Sequence, residues 1–439
     1  MTETASRLSL DLKADICWIP LVQGVVETGA PVMGLDPGKT LRLALAAEEF
    51  ILHLSRTAPG TRLTLTLSRE ASSVSALFQF ESSPEDLWAM NLTAASEISQ
   101  DLDQGMAHMG LLLASKVADR FSITLSGRTL SVTLFQDIIY PEIEKAKAPS
   151  TPLRGTLSAE ACSDPADISH ACALTMALYP ETLYPKTFRT PGNIIDRISQ
   201  GRFHAGLVKD EAGITAGMIC WQISSRRTVE FYGPYLVSGS PDDGIAQLLI
   251  DHLINQVART EAITLYSLSA GPDLPPGNFE PLAALSFNQP DGKRETRTLW
   301  FRHLREDMGC PVWAHPVLGP FLKETYQRLF LIRTIREYKD PGGGRPARSL
   351  LGTRLGADKQ EAFIRPMLDG LDIRENIKRH IQLLVNENYL NLFFTMDLSV
   401  GWQAALGKIL TETGFEPAYV LPYAGESDKV IFHYVHPHA

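Results

Sequence analysis

Apolar and polar positions change their period along the chain, and the changes predict an alternation of helices and strands. The segment GKTLRLALAAEEFILHLSRTA places Leu41, Ala44, Leu45, Ile51 and Leu52 on one face at helical spacing. Strands are predicted where β-branched and aromatic residues concentrate, as in SVTLFQDI, ITAGMICWQI, TVEFYGPYLV and LNLFFTMDL. Further helices are predicted over DISHACALTMAL, GIAQLLIDHLINQVARTE, LGPFLKETYQRLFLIRTIREY, ENIKRHIQLLVNEN and WQAALGKILTETGF. The alternation predicts an α/β (α+β) fold class.

Two loop-like stretches interrupt this pattern, KAKAPSTPLRG and DPGGGRPARS. They predict three units, at residues 1–147, 148–338 and 339–439. The order NLFFTMDL, LGKILTETGF, KVIFHYV loosely repeats ITLYSLSA, LAALSF, ETRTLWFRHL, which suggests two related halves. Strand–helix–strand repetition alone also produces such an echo.

Composition narrows the classes of function. The chain has 439 residues, is 44% hydrophobic and carries a formal net charge of -9, so nucleic acid is not expected as a main partner. Its five cysteines are far apart and never in CxxC spacing, which predicts reduced thiols. Neither a signal-peptide profile nor an apolar run of the roughly 20 residues that a membrane span needs is visible, so we expect a cytoplasmic protein without membrane contact.

The first unit resembles a known ATPase family. AAEEFILHLSRTA, FQFESSPEDL and HMGLLLASKVADRFSITLSGRTLSVTL fall where the anti-sigma-factor serine kinases and related histidine-kinase-type ATPases carry their nucleotide site. The resemblance covers roughly residues 15–140 and implies a histidine-kinase-type ATPase sandwich. It also implies a protein partner of sigma-factor or antagonist type.

At the matching positions the resemblance implies a degenerate nucleotide site of Glu49, His53, Glu81, Gly105 and Gly110. In the family, the glutamate activates a water or hydroxyl and an asparagine four residues later binds magnesium. His53 replaces that asparagine, and imidazole is a poor ligand for magnesium. Glu81 replaces the adenine-binding aspartate, and the phosphate turn keeps only two glycines. The substitutions argue against Mg-ATP as a ligand.

The second unit resembles the GNAT acetyltransferase superfamily. TVEFYGPYLVSGSPDDGIAQLLIDHLINQVA looks like its central strand, coenzyme loop and helix, and the resemblance spans about residues 155–338. It implies acetyl-CoA as the cofactor, because backbone N–H groups at that helix N-terminus bind the pyrophosphate. Pro241 stands at the family's basic position, with Asp242 and Asp243 beside it; alternatively, this turn only caps a helix. The implied cofactor-binding residues are Leu236, Val237, Gly244, Ile245, Ala246, Gln247 and Asn278.

Acetyl transfer needs a base for the acceptor amine and an acid for the leaving thiolate, and Glu230 and Tyr232 on the central strand are the candidates. In the alternative interpretation Glu230 faces solvent and Tyr232 packs in a half-buried face. GNFEPLAALSF resembles the family's later helix, with Ser286 where glycine is usual. The last unit resembles the closing half of a second GNAT domain, including the turn at Gly414 and Phe415, but has no coenzyme loop.

Several isolated residues receive structural interpretations. His433, His436 and His438 have a metal-like spacing, but a terminus without carboxylate or cysteine partners predicts no metal site. His380 is predicted on a helix surface, and Asp397 is predicted to cap a turn. The sequence contains no G-x-S-x-G, HExxH or Walker loop.

Three hypotheses about function follow. In the first, the chain is a regulatory protein with a degenerate ATPase-like domain and a GNAT-like acyl-CoA-binding region. In the second, it is an active N-acetyltransferase that uses acetyl-CoA and is regulated by its N-terminal domain. In the third, it is an anti-sigma-factor-type serine kinase. The sequence does not decide whether the chain is an enzyme, nor its oligomeric state.

Overall fold

A computed structural model describes residues 7–81, 84–95, 102–147, 152–238, 244–338, 344–356 and 360–434. Three sheets with their helices follow one another along the chain, and a short two-stranded sheet lies between the second and the third. Elements are numbered in chain order below.

The first unit is a two-layer α/β sandwich. Its antiparallel sheet has the order β1-β2-β3-β5-β4. Side chains alternate along these strands, so that leucines of β2 pack on the helices while threonines and serines lie on the other face. The elements are β1 (Arg7–Lys13), α1 (Ile19–Val32), α2 (Pro37–Thr57), β2 (Arg62–Arg69), β3 (Ser73–Glu81), α3 (Leu102–Val117), β4 (Arg120–Ser126) and β5 (Thr129–Asp137).

The second unit has helices on both faces of a seven-stranded sheet of order β11-β12-β10-β9-β8-β7-β6. Strands β9 and β10 pair in parallel, and the other neighbours pair antiparallel. Its elements are β6 (Ser158–Cys162), α4 (Pro165–Leu178), α5 (Pro191–Ser199), β7 (Phe203–Lys209), β8 (Thr215–Ser225), β9 (Thr228–Leu236), α6 (Ile245–Val257), β10 (Thr264–Ser267), β11 (Glu280–Asn288) and β12 (Arg294–His303). Helices α4 and α5 cover one face, and α6 covers the other.

A parallel strand pair, β13–β14, follows the second sheet, and the third unit is the five-stranded sheet of order β15-β16-β17-β19-β18 with its helices. The elements are β13 (Cys310–Ala314), α7 (Gly319–Arg328), β14 (Arg333–Glu337), β15 (Leu350–Leu355), β16 (Glu361–Leu368), α8 (Ile373–Asn386), β17 (Asn391–Asp397), α9 (Gly401–Glu412), β18 (Phe415–Leu421) and β19 (Lys429–Tyr434).

One predicted helix is partly wrong, and another is absent. The helix predicted over LGPFLKETYQRLFLIRTIREY ends at Arg328, and its last third forms strand β14. Phe330 takes a left-handed backbone with φ of 52°, which a continuing helix does not allow. The segment GNFEPLAALSF forms strand β11, in which Leu282, Leu285 and Phe287 are buried against β12 and the third unit. Pro281 is costly inside a helix but is tolerated at the bulge that begins this strand.

The second and third units repeat one strand order. Strands β8-β9-β10-β12-β11 and β15-β16-β17-β19-β18 have the same sequence of parallel and antiparallel neighbours. The motif Phe-Glu-Pro recurs at 279–281 and 415–417, and each sheet has a register shift just after the proline. The repeats differ in one connection, because α9 joins β17 to β18 whereas the described residues 268–279 contain no helix.

A buried ion cluster joins the units. The Arg333 guanidinium lies 2.6 Å from an Asp307 oxygen and 2.7 Å from an Asp428 oxygen, and all three side chains are at most 3% exposed. The Tyr423 hydroxyl donates to Asp307. Beside it, the Thr228 hydroxyl of β9 donates to the carbonyl of Pro422 at 2.7 Å. The β18–β19 hairpin is therefore fixed to the start of β9.

Candidate functional site

Strand β10 pairs with only the first third of β9, because β10 ends at Ser267. They pair in parallel at Thr228–Thr264, Val229–Leu265 and Glu230–Tyr266, and the pairing stops there. Strand β9 continues to Leu236, and a register shift against β8 together with the positive φ of Gly233 bends it away. A gap therefore opens at the carboxyl ends of the two parallel strands, where open α/β sheets bind their ligands. We call it the first strand gap.

The Tyr179 side chain hydrogen-bonds the backbone beside this gap. Its hydroxyl accepts a hydrogen bond from the Leu236 N–H at 2.6 Å and donates to the Asp273 carboxylate at 2.5 Å. Burial and the bond to Asp273 raise the pKa of Tyr179, so the phenol stays protonated. Asp273 belongs to the connection 268–279, which stands where the third unit has helix α9. This connection is thereby tied to the end of β9.

The other implied cofactor-binding residues near α6 differ in their surroundings. The Val237 N–H donates to the carbonyl of Ala216 at 2.9 Å. Ile245 is fully buried in the core beneath α6, and Ala246 is 9% exposed. Gly244 precedes α6 in a left-handed backbone with φ of 73° and gives the helix no side-chain cap. Residues Pro241 to Asp243, where the pyrophosphate was expected, lie outside the described residues.

Gln247 and Asn278 come together, although 31 positions separate them in the sequence. The Asn278 amide donates to Gln247 Oε1 at 3.0 Å, and Gln247 Nε2 donates to Asp251 at 2.8 Å. Arg302 donates to the Asn278 carbonyl at 2.8 Å. These bonds fix the connection 268–279 against α6.

Arg226 and Arg227 are engaged away from the N-terminus of α6. Arg226 pairs with Glu261, which follows the C-terminal end of that helix, and Arg227 lies 4.9 Å over the Tyr423 ring. A helix of this length separates its two ends by about 20 Å. Both guanidinium groups therefore lie away from the N-terminus of α6.

Glu230 and Tyr232 lie on one face of β9 in a half-buried polar cluster. Gln222 Nε2 lies 2.7 Å from the Glu230 carboxylate and 2.6 Å from the Tyr232 hydroxyl, and Tyr266 also hydrogen-bonds Glu230. Burial raises the pKa of Glu230, and the hydrogen bonds and the nearby Arg197 guanidinium oppose the rise. The alternative in which Glu230 faces solvent is wrong.

Sequence reasoning missed the partners of this cluster. Gln222 interrupts the apolar strand ITAGMICWQI and marks where that strand becomes polar, so it carried a usable signal. Arg197 sits in helix α5 and donates to Gln222 Oε1. Its role depends on how α5 packs across the sheet, and nothing in its local sequence indicates that packing.

The third unit has an equivalent second strand gap. Strands β16 and β17 pair from Glu361–Asn391 to Ile364–Phe394 and then separate. The Gln403 side chain of α9 bridges them beyond that point. Its Oε1 accepts from the Asp397 N–H at 3.0 Å, and its Nε2 donates to the carbonyl of Pro366 at 3.4 Å.

The carboxylate of Asp372, which directly precedes α8, binds groups other than the N-terminal N–H groups of that helix. Asp372 accepts from the Ser349 N–H at 2.6 Å and from its hydroxyl at 2.7 Å. Arg348 and Arg379 lie 3.4 Å and 3.2 Å from the same carboxylate.

Asp397 also has its predicted role, since it accepts from the Ser399 N–H at 2.9 Å and caps that turn.

In the first unit, three of the implied nucleotide residues meet where α2 packs on α3. A Cβ at Gly110 would lie 2.8 Å from a Glu49 carboxylate oxygen, so the two helices touch there. Burial and the neighbouring Glu48 raise the pKa of Glu49. His53 is 4% exposed, and its ring lies 6.2 Å from that of His108.

The other two implied nucleotide residues lie elsewhere in the first unit. Glu81 is exposed at the end of β3. Gly105 belongs to α3, and its surroundings fall outside the described residues.

The third unit packs against this part of the first. Asn91 donates to the carbonyl of Ser349 and accepts from the Leu351 N–H, both at 2.9 Å. Asn376 of α8 donates to Asn91 at 3.2 Å, and all these groups are buried. The Arg348 guanidinium lies 4.6 Å over the Trp88 ring. The two units therefore share a polar interface.

The surface position predicted for His380 is wrong. Its side chain is fully buried at the same interface, and Nδ1 contacts the carbonyl of Asn376 at 2.9 Å. Burial lowers the pKa of His380 to about 4, and the nearby charges of Arg379 and Lys116 act in the same direction. The helix pattern ENIKRHIQLLVNEN could not reveal this contact, because the covering surface belongs to another unit.

Metal and membrane features can be checked within the described part of the chain. There, no three His, Cys, Asp or Glu side chains cluster as metal ligands would. His433 lies in β19 with its ring stacked 4.9 Å from Phe393, while His436 and His438 are outside the described residues. No described helix combines the length and the apolar character that a membrane span requires. All five cysteines are free.

No protein-family model matches the chain, and no curated protein matches it. Solved structures of acetyltransferases resemble about a third of it. An aminoglycoside 6'-N-acetyltransferase complexed with coenzyme A is 14% identical over 35% of this chain and 99% of its own, with a TM-score of 0.27. A GNAT superfamily phosphinothricin acetyltransferase from Sinorhizobium meliloti, in complex with AcCoA, is 18% identical over 35% and 91%, with a TM-score of 0.28. A GCN5-related N-acetyltransferase from Rhodopseudomonas palustris is 10% identical over 35% and 99%, with a TM-score of 0.25.

Proposed function

We propose that this chain is a cytoplasmic regulatory protein that acts through protein contacts and does not transfer acyl or phosphoryl groups. One observation carries the proposal: side chains of the chain itself hydrogen-bond backbone groups beside both strand gaps. Tyr179 binds the Leu236 N–H at the first gap, and Gln403 bridges Pro366 and Asp397 at the second. A coenzyme that entered either gap would have to displace these bonds.

A ligand that displaced Tyr179 would replace only one of its two hydrogen bonds. An incoming amide carbonyl replaces the bond to the Leu236 N–H, but it gives nothing back to Asp273. That carboxylate would lose its phenol donor, and leaving a partly buried polar group unsatisfied costs about 1–3 kcal/mol. An anionic coenzyme would also lie close to the Asp273 charge. Both effects weaken binding of acetyl-CoA.

The sequence adds a further charge effect at the coenzyme loop. Pro241 stands where the family needs a cation, Asp242 and Asp243 follow it directly, and carboxylates repel a pyrophosphate. Arg226 and Arg227 are held by Glu261 and Tyr423, so they do not offset this repulsion.

For the first unit we propose a role in binding a protein of sigma-factor or antagonist type. Ligand chemistry supports this role, because His53 stands where a magnesium ligand is needed and is buried beside His108. The unit is also joined to the third unit through Asn91, so a partner bound on it can influence the whole chain.

An active N-acetyltransferase is the second candidate, and Glu230 favours it. Its pKa is raised by burial, and Tyr232 lies within the same hydrogen-bonded cluster. In that function Glu230 accepts the proton of the acceptor amine and Tyr232 donates to the leaving thiolate.

A thermal-shift screen of the full chain against acetyl-CoA, coenzyme A, Mg-ATP and Mg-ADP tests the proposal. We expect the melting temperature to stay constant with all four, because ligands that bind the native state raise it. A rise with acetyl-CoA that Glu230→Gln retains, while losing product formation, would instead establish the acetyltransferase. A rise with Mg-ATP would support the serine kinase.

A further inference from the structure

Three large apolar side chains lie together on the surface, just before the parallel strands β13 and β14 begin. Met308 is 90% exposed, Phe330 is 77% exposed and Ile332 is 64% exposed, and all three line one open groove. We call this group the apolar patch. A single exposed apolar residue is ordinary on a protein surface, whereas a contiguous group of them is typical of a surface that contacts another molecule.

Backbone contacts join the two segments that carry the patch. The Cys310 N–H donates to the Ile332 carbonyl oxygen at 3.4 Å. A Cβ at Gly309 would lie 2.7 Å from the same oxygen, so the residue that follows Met308 lies directly against Ile332. The segments of Met308 and Ile332 are therefore held in contact with each other.

Phe330 combines an unfavourable backbone with an exposed ring. Its φ of 52° lies in the left-handed region, which a bulky residue rarely adopts. His303 Nε2 lies 3.0 Å from the carbonyl oxygen of Leu329 and ties the preceding peptide to β12. Within one chain, burial of the ring does little to offset the strain, because 77% of the residue is exposed. Strained residues cluster at functional sites, and a contact that covers the ring supplies the missing burial.

Two opposite charges line the same groove. Arg305 and Glu306 are neighbours in the sequence, and both are exposed. The Arg305 guanidinium donates to the carbonyls of Ala258 and Thr260 at 3.0 Å and 2.7 Å, which anchors it beside the C-terminal end of α6. An adjacent cation and anion make a surface self-complementary, because a two-fold axis brings the cation of each copy to the anion of the other.

We propose that the apolar patch is the interface of a symmetric homodimer. Met308, Phe330 and Ile332 of each copy pack against the same residues of the other, and Arg305 and Glu306 pair reciprocally at the rim. A strongly acidic or strongly basic partner would meet one like charge at this rim, whereas a second copy meets two opposite ones. The inference does not rest on the proposed function, because the patch lies outside both strand gaps.

The size of the patch sets the expected strength of the dimer. Specific interfaces bury about 800 Å² on each partner. Three apolar side chains and two rim charges cover only part of such an area. We therefore expect a reversible dimer with a micromolar Kd, which dissociates on dilution.

Sedimentation velocity of the full chain over about 1–100 μM tests the inference, and we expect the mass to rise from monomer towards dimer. Phe330→Gly should weaken the dimer by about tenfold or more, because it removes the central ring. The same variant should not destabilise the monomer, since glycine adopts a positive φ without strain. Leu371→Ser, at a residue that is 72% exposed and outside the patch, should leave the mass unchanged.

Charge reversal tests the two-fold geometry. Arg305→Glu and Glu306→Arg each place like charges opposite each other, so each should weaken the dimer by about tenfold. The double variant restores both pairs and should recover most of the affinity. It shares with Arg305→Glu the lost bonds at α6, so the comparison of these two variants isolates the contact between copies.

Three results would overturn the inference. The first is a chain that stays monomeric at every concentration, which would leave the patch to a different protein. The second is a dimer that Phe330→Gly does not weaken. The third is a double charge variant that associates no better than Arg305→Glu alone.

Discussion

The Tyr179 hydroxyl and the Gln403 amide both hydrogen-bond strand backbone, one in each of the two repeated units. Each satisfies backbone groups at the point where a pair of parallel strands separates. They come from different elements: Tyr179 follows helix α4, and Gln403 belongs to α9. The shared feature is therefore the unpaired strand backbone, which needs partners whether they come from the chain or from a ligand.

The bond between Tyr179 and Asp273 should contribute measurably to stability. We expect Tyr179→Phe to lower the free energy of unfolding by about 1–3 kcal/mol, because it leaves the Leu236 N–H and the Asp273 carboxylate without this partner. Urea denaturation measures the change. Asp273→Asn and the double variant complete a mutant cycle, and strict additivity of the two changes would contradict a direct interaction.

His380 should make stability depend on pH. Its pKa in the folded chain is about 4, below the 6.5 of an exposed histidine. A lowered histidine pKa means that the folded state disfavours the proton. The stabilisation is therefore complete above pH 6.5 and is lost as the pH falls from 6.5 to about 4, with a full loss of about 3 kcal/mol.

Denaturant titrations at neutral and acidic pH measure this effect. Carboxylates also titrate between neutral and acidic pH. The diagnostic quantity is therefore the difference in the free energy of unfolding between the wild type and His380→Gln. The variant should lose less stability on acidification, since it has no group to protonate at this position. Parallel pH profiles of the two proteins would show that His380 has no such role.

At the scale of elements, local sequence predicted most helices and strands. It failed for segments whose secondary structure depends on packing against residues far along the chain. DISHACALTMAL is helical as predicted, and WQAALGKILTETGF is helical as far as Glu412. GNFEPLAALSF became strand β11 because it pairs with β12 and faces the third unit. The same holds for site residues: Glu230 and Tyr232 were visible in the sequence, whereas Tyr179 and Gln403 act through contacts that only the fold brings together.

The α2–α3 crossing provides a paired test of packing. Gly110→Ala would place its Cβ 2.8 Å from a Glu49 carboxylate oxygen and 3.2 Å from the Glu49 carbonyl oxygen. We expect a loss of about 1–3 kcal/mol in the free energy of unfolding, typical of overpacking. Gly24→Ala in α1 has no atom within 4 Å of the new Cβ and should gain up to about 1 kcal/mol. Equal effects of the two substitutions on denaturation would contradict the close approach of the helices.

At the scale of the whole molecule, the units share buried surfaces. Strands β10 to β12 contribute to the same core as the third unit, and Leu350 of β15 packs in the core of the first unit. The ion cluster of Arg333 reinforces this arrangement between β14 and the β18–β19 hairpin. We therefore expect the second and third units to unfold together.

Arg333→Met tests the ion cluster. It removes the cation between Asp307 and Asp428 and leaves two carboxylates in a buried site, so we expect a loss of about 3–5 kcal/mol in the free energy of unfolding. Arg226→Met, which breaks the exposed pair with Glu261, should change it by at most about 1 kcal/mol. Chemical denaturation compares the two variants, and a similarly small effect of both would refute the structural role of the cluster.

Isothermal titration of the full-length chain with acetyl-CoA is the most direct test of the claim that its own side chains close both strand gaps. The account predicts no saturable heat, because Tyr179 and Gln403 already hold the backbone groups and two aspartates stand at the coenzyme loop. Saturable binding with a micromolar Kd, or tighter, would contradict it.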